Sequence, residues 1–201
     1  MKNLGRFVVL ACILSAIPAY ASDFTIFGAA QHQGKLSVQS ASATASSVSN
    51  FIPGTFGTFG IRYGGGKVVG HETTLAYAPN FLDNNTKAVI FNGNFLVQAP
   101  VPKVKPYVTA GMGTIISFGT DSAGRPSLGK IGKKFAINYG GGLKVLPAGP
   151  VGVRFDIRGY RVPGVKFNLP SIANPTQTVQ AQSQSLDILE AGMGIVFSFG
   201  K

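Results

Sequence analysis

Two histidines, His32 and His71, are the chain's candidates for proton transfer near neutral pH. Nucleophilic catalysis would need one of them beside a hydroxyl or thiol and an orienting acid. His71 is followed by Glu72 and Thr73, and His32 by Gln33 and Gly34, so neither sits in such a pattern. His71 falls on the same alternating face as Val69 and Leu75, which suits a rim position or a contact with a neighbouring strand. Metal binding needs clustered His, Cys, Asp or Glu. The single cysteine, Cys12, lies alone near the N-terminus, and no His/Cys pair has ligand spacing. Asp83-Asn84-Asn85 offers oxygen atoms to a calcium ion, but fits an Asx turn better. Gly64-Gly65-Gly66-Lys67 lacks the spacing and the following helix of a phosphate-binding loop, and reads as a hairpin turn. The expectation is no catalytic residue, no cofactor and no metal.

The other chemistry-bearing residues are charges. They make up only 12% of the chain, yet Lys and Arg number 18 against 7 Asp and Glu, for a formal charge of +11. An excess of that size raises nucleic-acid binding as a possibility. The bases are spread over many segments, however, and several fall on alternating faces of strands, so no nucleic-acid partner is expected. The loop and turn bases Lys87, Lys103, Arg125, Lys130, Lys133, Lys134 and Lys166 suit contact with lipid headgroups or anionic lipopolysaccharide.

The elements that hold these charges are strands. The chain has 27 glycines, each of which costs a helix interior about 1 kcal/mol relative to alanine. At 45% hydrophobic it is also too apolar for disorder. Lys2 and Arg6 precede an apolar run from Phe7 to Ile17, and Pro18 ends the run before Ala19-Tyr20-Ala21. This predicts a secretory signal peptide over residues 1–21, cleaved after Ala21. Residues 22–201 then form one barrel domain, with 16 bases, 7 acids and no apolar run long enough for a spanning helix. Cys12 leaves with the signal; a lipoprotein box at Val9-Leu10-Ala11-Cys12 is the weaker alternative, its apolar stretch being too short.

Period-two alternation marks the strands. In Val151–Tyr160, Val151, Val153, Phe155 and Ile157 oppose Gly152, Arg154, Asp156, Arg158 and Tyr160. In Leu189–Phe199, Leu189, Met193, Ile195, Phe197 and Phe199 oppose Glu190, Gly192, Gly194 and Ser198. Phe135–Val145, Val104–Ile116, Val89–Val97, Lys67–Ala78 and Phe56–Tyr63 follow the same pattern, while Asp23–Lys35 does not declare its faces. Short turns at Gly64–Gly66, Pro100–Lys103 and Pro147–Pro150 alternate with long polar segments at Leu36–Thr55, Pro79–Lys87, Gly119–Lys134 and Pro163–Ser185. An eight-stranded antiparallel up-and-down barrel with short turns at one end and four long loops at the other follows. Outer-membrane barrels have this asymmetry.

Alternation alone leaves open which face points inward. A soluble barrel would enclose its apolar face around a ligand, whereas a membrane barrel turns it to lipid. The glycines share faces with the charges, and small residues beside charged ones suit a narrow interior. Arg62, Glu72, Lys144, Arg154, Asp156, Arg158 and Glu190 are therefore expected to form an interior charge network that plugs and stiffens the barrel. A proton or ion path is the other reading. Tyr63, Tyr77, Tyr139, Phe197 and Phe199 are expected near strand ends as interfacial aromatics.

Lys105–Gly113, Phe135–Leu143 and Val153–Tyr160 resemble strands five, six and seven of small outer-membrane β-barrels of the OmpA/OmpX type. The ending Gly194-Ile195-Val196-Phe197-Ser198-Phe199 is similar to the C-terminal signal read by the barrel assembly machinery, although Gly200 and Lys201 follow the last aromatic. The resemblance implies an integral outer-membrane protein of a Gram-negative envelope. It implies neither a catalytic site nor a ligand. Barrels of this kind that deacylate lipid A place His and Ser two residues apart on one strand, and neither histidine here does. The expected function is non-enzymatic: envelope integrity, with adhesion or recognition of an extracellular ligand through the long loops. A narrow pore, a soluble periplasmic ligand-binding barrel and a lipid-modifying enzyme are the alternatives.

Overall fold

The computed structural model describes residues 22–34, 38–39, 54–82, 85–119, 131–147, 149–170, 178–183 and 185–199. The expected signal peptide and the Asp83-Asn84 pair lie outside the described residues. In chain order the strands are β1 (Ser22–Gln33), β2 (Val38–Gln39), β3 (Thr55–Gly65), β4 (Val69–Ala78), β5 (Lys87–Gln98), β6 (Val104–Phe118), β7 (Lys133–Val145), β8 (Val151–Pro163), β9 (Lys166–Pro170), β10 (Thr178–Ser183) and β11 (Ser185–Phe199). The eight long strands form one closed barrel in the order β1-β11-β8-β7-β6-β5-β4-β3. Every neighbouring pair is antiparallel, and β1 meets β11 from Ser22↔Phe199 to Gln33↔Ile188. Closure leaves no strand edge unpaired, which a lipid surround requires.

The register fixes the tilt. Paired residues lead around the ring from Asp23 through Gly64, Glu72, Asn94, Gly111, Asn138, Tyr160 and Ile188 to Gln33, ten residues further along β1. A stagger of this size in an eight-stranded barrel goes with steeply tilted strands and an interior that side chains can fill.

The turn end is stitched by backbone bonds. Gln98 N donates to Val68 O at 2.8 Å, Leu146 N to Lys103 O at 2.6 Å and Ser198 N to Pro150 O at 2.7 Å. The loop end departs from expectation. Leu36–Thr55 and Pro163–Ser185 read as plain loops, yet they contribute a second, three-stranded sheet in the order β2-β10-β9. That order repeats β1-β11-β8, so this side of the wall continues above the rim while the antiparallel pairing persists. Strand pairing satisfies backbone groups that a bare crossing would leave open.

Side chains alternate strictly. In β8, Val151, Val153, Phe155 and Ile157 face outward, and Gly152, Arg154, Asp156, Arg158, Tyr160 and Val162 face inward. The outward face carries Val108, Met112, Ile157 and Met193 at 60–63% exposure, far more apolar surface than water tolerates. In β1, Asp23, Thr25, Phe27, Gln31 and Gln33 point in, whereas Ile26, Gly28, Ala30 and His32 point out.

Of the expected interfacial aromatics, Tyr63 lies near the turn end of β3, and Phe197 and Phe199 at that end of β11. Phe24 joins them, its ring 6.4 Å from that of Phe197. Tyr77 stands next to the loop end of β4, edge-on to Phe59 at 5.5 Å. Tyr139 is a correction: it occupies the middle of β7, not an end. It pairs with Gly159 of β8, where a Cβ would lie 2.9 Å from the tyrosine ring. The ring lies across the space the glycine leaves on the outer wall.

Candidate functional site

The barrel interior has two storeys. The turn-side storey is ionic. Arg154 Nη1 meets Glu72 Oε2 at 2.5 Å, and Arg158 Nη2 meets Glu72 Oε1 at 2.6 Å. Arg62 joins Asp156 at 2.6 Å and Glu190 at 2.9 Å. Asp156 also accepts from Arg154 Nε at 3.1 Å and Arg158 Nη2 at 3.2 Å. β4 and β8 stand on opposite sides of the eight-strand ring, so the Glu72 pairs cross the full lumen. Lys144 Nζ reaches across to Asp23 at 2.5 Å and also donates to Gln98 Oε1 at 3.0 Å.

Neutral groups complete this storey. The Tyr107 hydroxyl donates to Asp156 Oδ1 and accepts from Arg154 Nε at 2.9 Å. Gln31 donates to Glu190 at 2.7 Å. Cations also lie on aromatic faces, with the Arg62 guanidinium 3.6 Å from the Phe27 centroid and that of Arg154 4.5 Å from Tyr107. Gly142 makes room for this packing: a Cβ there would sit 2.5 Å from the Tyr107 hydroxyl.

The seven residues expected inside are all inward and buried. Counted alone they are four bases against three acids. The missing acid is Asp23, on the strand whose faces the sequence left open; with it the storey holds four bases and four acids. Tyr107 was legible as an inward residue, but nothing in its spacing showed that it bridges Arg154 and Asp156. The β1, β3, β4 and β5 wall also carries buried polar atoms, Thr25 Oγ1, Arg62 Nε, Thr74 Oγ1 and the Asn92 amide, that no protein group satisfies. Their sites suit internal water.

The loop-side storey is apolar. Ala78, Ile90, Ile115, Ala136, Val162, Leu186 and Ile188 form one buried cluster with Phe56. Phe81, from the connection between β4 and β5, closes it. Its ring meets Phe56 edge-on at 5.5 Å and 83°, and its backbone N donates to Thr86 O at 2.7 Å. Val165 and Ile131 pack from the other connections. Lys134 Nζ donates to Gly164 O at 2.9 Å and ties the start of β7 to the connection after β8.

The histidines stay outside both storeys. His32 faces outward at the loop end and shares a hydrogen bond with Thr55 Oγ1 at 3.1 Å. His71 lies on the outward face near the turn end, paired with Gly65 and Phe95. Among the described residues no group of three His, Cys, Asp or Glu could hold a metal ion.

A closed antiparallel barrel with lipid-type apolar surface outside and ion pairs inside is the architecture of an outer-membrane protein, and the sequence agrees. It matches the family described as "Outer membrane protein beta-barrel domain" over residues 7–175. The chain belongs to that family. No curated protein sequence matches it. Among solved structures it is similar to Neisserial surface protein A, with a TM-score of 0.62 at 11% identity over 89% of this chain and 99% of that one. It is similar to the outer membrane protein OprG of Pseudomonas aeruginosa, with a TM-score of 0.55 at 10% identity over 90% of this chain and 97% of that one. The outer membrane enzyme PagL also superposes, with a TM-score of 0.51 at 14% identity over 85% of this chain and 97% of that one. At these identities the likeness shows the fold. As in other outer-membrane barrels, the short turns are periplasmic, the long connections extracellular, and the apolar exterior faces lipid.

Proposed function

We propose that the protein is a non-enzymatic, non-conducting outer-membrane barrel that contributes to envelope integrity and presents its extracellular connections for adhesion or recognition. The observation that carries this reading is the pairing of Glu72 with Arg154 and Arg158 across the lumen, at 2.5 and 2.6 Å. Ion pairs spanning the diameter obstruct the lumen, and Phe81 packs over the apolar storey above them, which supports a barrel without a continuous aqueous path. The four-to-four charge balance supports a structural role, since every buried carboxylate meets a cation. A general base or nucleophile needs a group not already committed to partners. His32 and His71 face outward at opposite ends, which also favours a non-catalytic reading.

The extended wall built by β2, β10 and β9 supports the recognition half of the proposal, because it lifts two extracellular connections away from the rim. Planar-bilayer recording of the refolded barrel tests the closed state. No discrete conductance steps are expected; steady unitary conductance that survives purification would replace this reading with a narrow pore. Deletion of residues 166–183 should remove any adhesion of the intact cell while leaving the barrel folded.

A further inference from the structure

The ionic storey is neutral, so the positive charge of the chain must lie elsewhere. Residues 22–201 hold 16 bases and 7 acids, and the interior takes four of each. Beyond these eight, the sequence of residues 22–201 has 12 bases against the 3 acids Asp83, Asp121 and Asp187. At the loop end this excess is one-sided. Lys87 opens β5 and Lys133 opens β7, both outward and exposed, and Arg161 lies outward near the end of β8. Lys87 pairs with Phe118 of β6, and Lys133 pairs with Ile116 of the same strand. The two lysines therefore flank one strand, with their backbones about 12 Å apart once the two-residue offset of their partners is included. Arg161 sits on the next strand beyond Lys133. Its partner Asp187 is 3.8 Å away and both side chains are more than half exposed, which leaves the guanidinium available.

The opposite rim differs. Among the described residues, the outward positions at the loop ends of β1, β3 and β4 carry His32, Thr55 and Tyr77, with no Lys or Arg. Toward the turn end the same wall presents Phe91, Met112, Phe135, Ile137 and Ile157, all exposed, with Ile137 paired beside Arg161. The cations thus cap an apolar strip on the extracellular side, at the level of the outer-leaflet headgroups.

We propose that Lys87, Lys133 and Arg161 form a binding site for the phosphates of an outer-leaflet glycolipid, the bisphosphorylated lipid A moiety of lipopolysaccharide, with its acyl chains on the β5–β8 wall. Paired phosphates match cations set on separate strands, and the strip beneath matches acyl chains. A free phosphate lacks the second half of this recognition. The proposal rests on the outer-membrane reading above.

The test is native mass spectrometry of the refolded barrel in detergent, with bisphosphorylated lipid A, dephosphorylated lipid A and inorganic phosphate as probes. Heat-modifiable gel mobility is recorded in parallel. Bisphosphorylated lipid A should bind, and the triple variant Lys87→Gln, Lys133→Gln, Arg161→Gln should weaken it by about tenfold or more. The turn-end variant Lys67→Gln should leave binding unchanged. Equal retention of phosphorylated and dephosphorylated lipid would overturn the site, as would full binding by the triple variant or full competition by inorganic phosphate. Loss of heat-modifiability in the unmutated protein would instead strike at the barrel reading itself.

Discussion

The two storeys of the interior obey different rules. The turn-side storey is held by directional contacts: each of Glu72, Asp156 and Glu190 must meet a particular guanidinium, and most of those partners come from other strands. The loop-side storey is held by volume, with Ile90, Ile115, Leu186 and Ile188 filling space against Phe56 and Phe81. Directional contacts specify which strands face each other across the lumen. Volume-filling contacts seal it without specifying much. Buried ion pairs add little net stability compared with apolar residues of the same size, yet breaking one is expensive because a charge is left behind. The contrast predicts that the turn-side storey is brittle to small chemical changes and the loop-side storey is tolerant of them.

The largest effect should come from Glu72→Ala. It removes the carboxylate shared by Arg154 and Arg158, and should destabilise the folded barrel by about 3–5 kcal/mol. Urea titration of the refolded protein, read by the unfolded-to-folded gel shift, gives the value. A loss below 1 kcal/mol would mean that water or another acid replaces Glu72, and the brittle half of the comparison would fall. A matched pair of conservative exchanges sharpens the point. Arg158→Lys cannot reproduce the guanidinium fork and should cost about 2–3 kcal/mol. Ile115→Leu keeps volume and should cost less than about 1.5 kcal/mol. Equal costs would erase the distinction between the storeys. Tyr107→Phe should follow at about 2 kcal/mol, because it strips one hydrogen bond from Asp156 and one from Arg154.

The same contrast explains what the sequence disclosed. In the turn-side half, charged inward residues alternate with apolar outward ones, as in Arg154-Phe155-Asp156-Ile157-Arg158, so both the strand and its faces were legible. In the loop-side half, both faces are apolar. Val89-Ile90-Phe91, Ile115-Ile116 and Phe135-Ala136-Ile137 show no period-two contrast of their own, so the inward members Ile90, Ile115 and Ala136 take their face only from the phase of the turn-side half of the same strand. Strand β1 was obscured similarly, because outward Ile26 adjoins inward Phe27; its unassigned faces hid Asp23, the partner of Lys144. Tyr139 was misplaced for another reason. Residue type suggested an interface, yet its place is central by either count, fifth of the eleven residues from Phe135 to Val145 and seventh of the thirteen in β7. The pairing of loop segments into β2, β10 and β9 has no signature in their Ser- and Gln-rich composition.

The smallest predicted effect asks whether the ionic storey is also close-packed. Gly142 faces Tyr107 on one neighbouring strand and the Phe155 carbonyl on the other, and a Cβ at that position would sit 2.5 Å from the tyrosine hydroxyl, 2.9 Å from its ring and closer still to the Phe155 oxygen. Gly142→Ala should therefore cost about 1–2 kcal/mol through overpacking alone, with no charge altered. Shortening the opposing side chain removes the tyrosine part of the clash and leaves the Phe155 carbonyl, so in a Tyr107→Ala background the same substitution should cost less without becoming neutral. The two changes then couple by at least about 0.5–1 kcal/mol in a double-mutant cycle. Additive costs would show that the tyrosine ring has room to swing aside and that the ionic storey is loosely filled. Coupling would show that it is packed as tightly as the apolar one, so that its brittleness adds directional chemistry to a shared steric constraint.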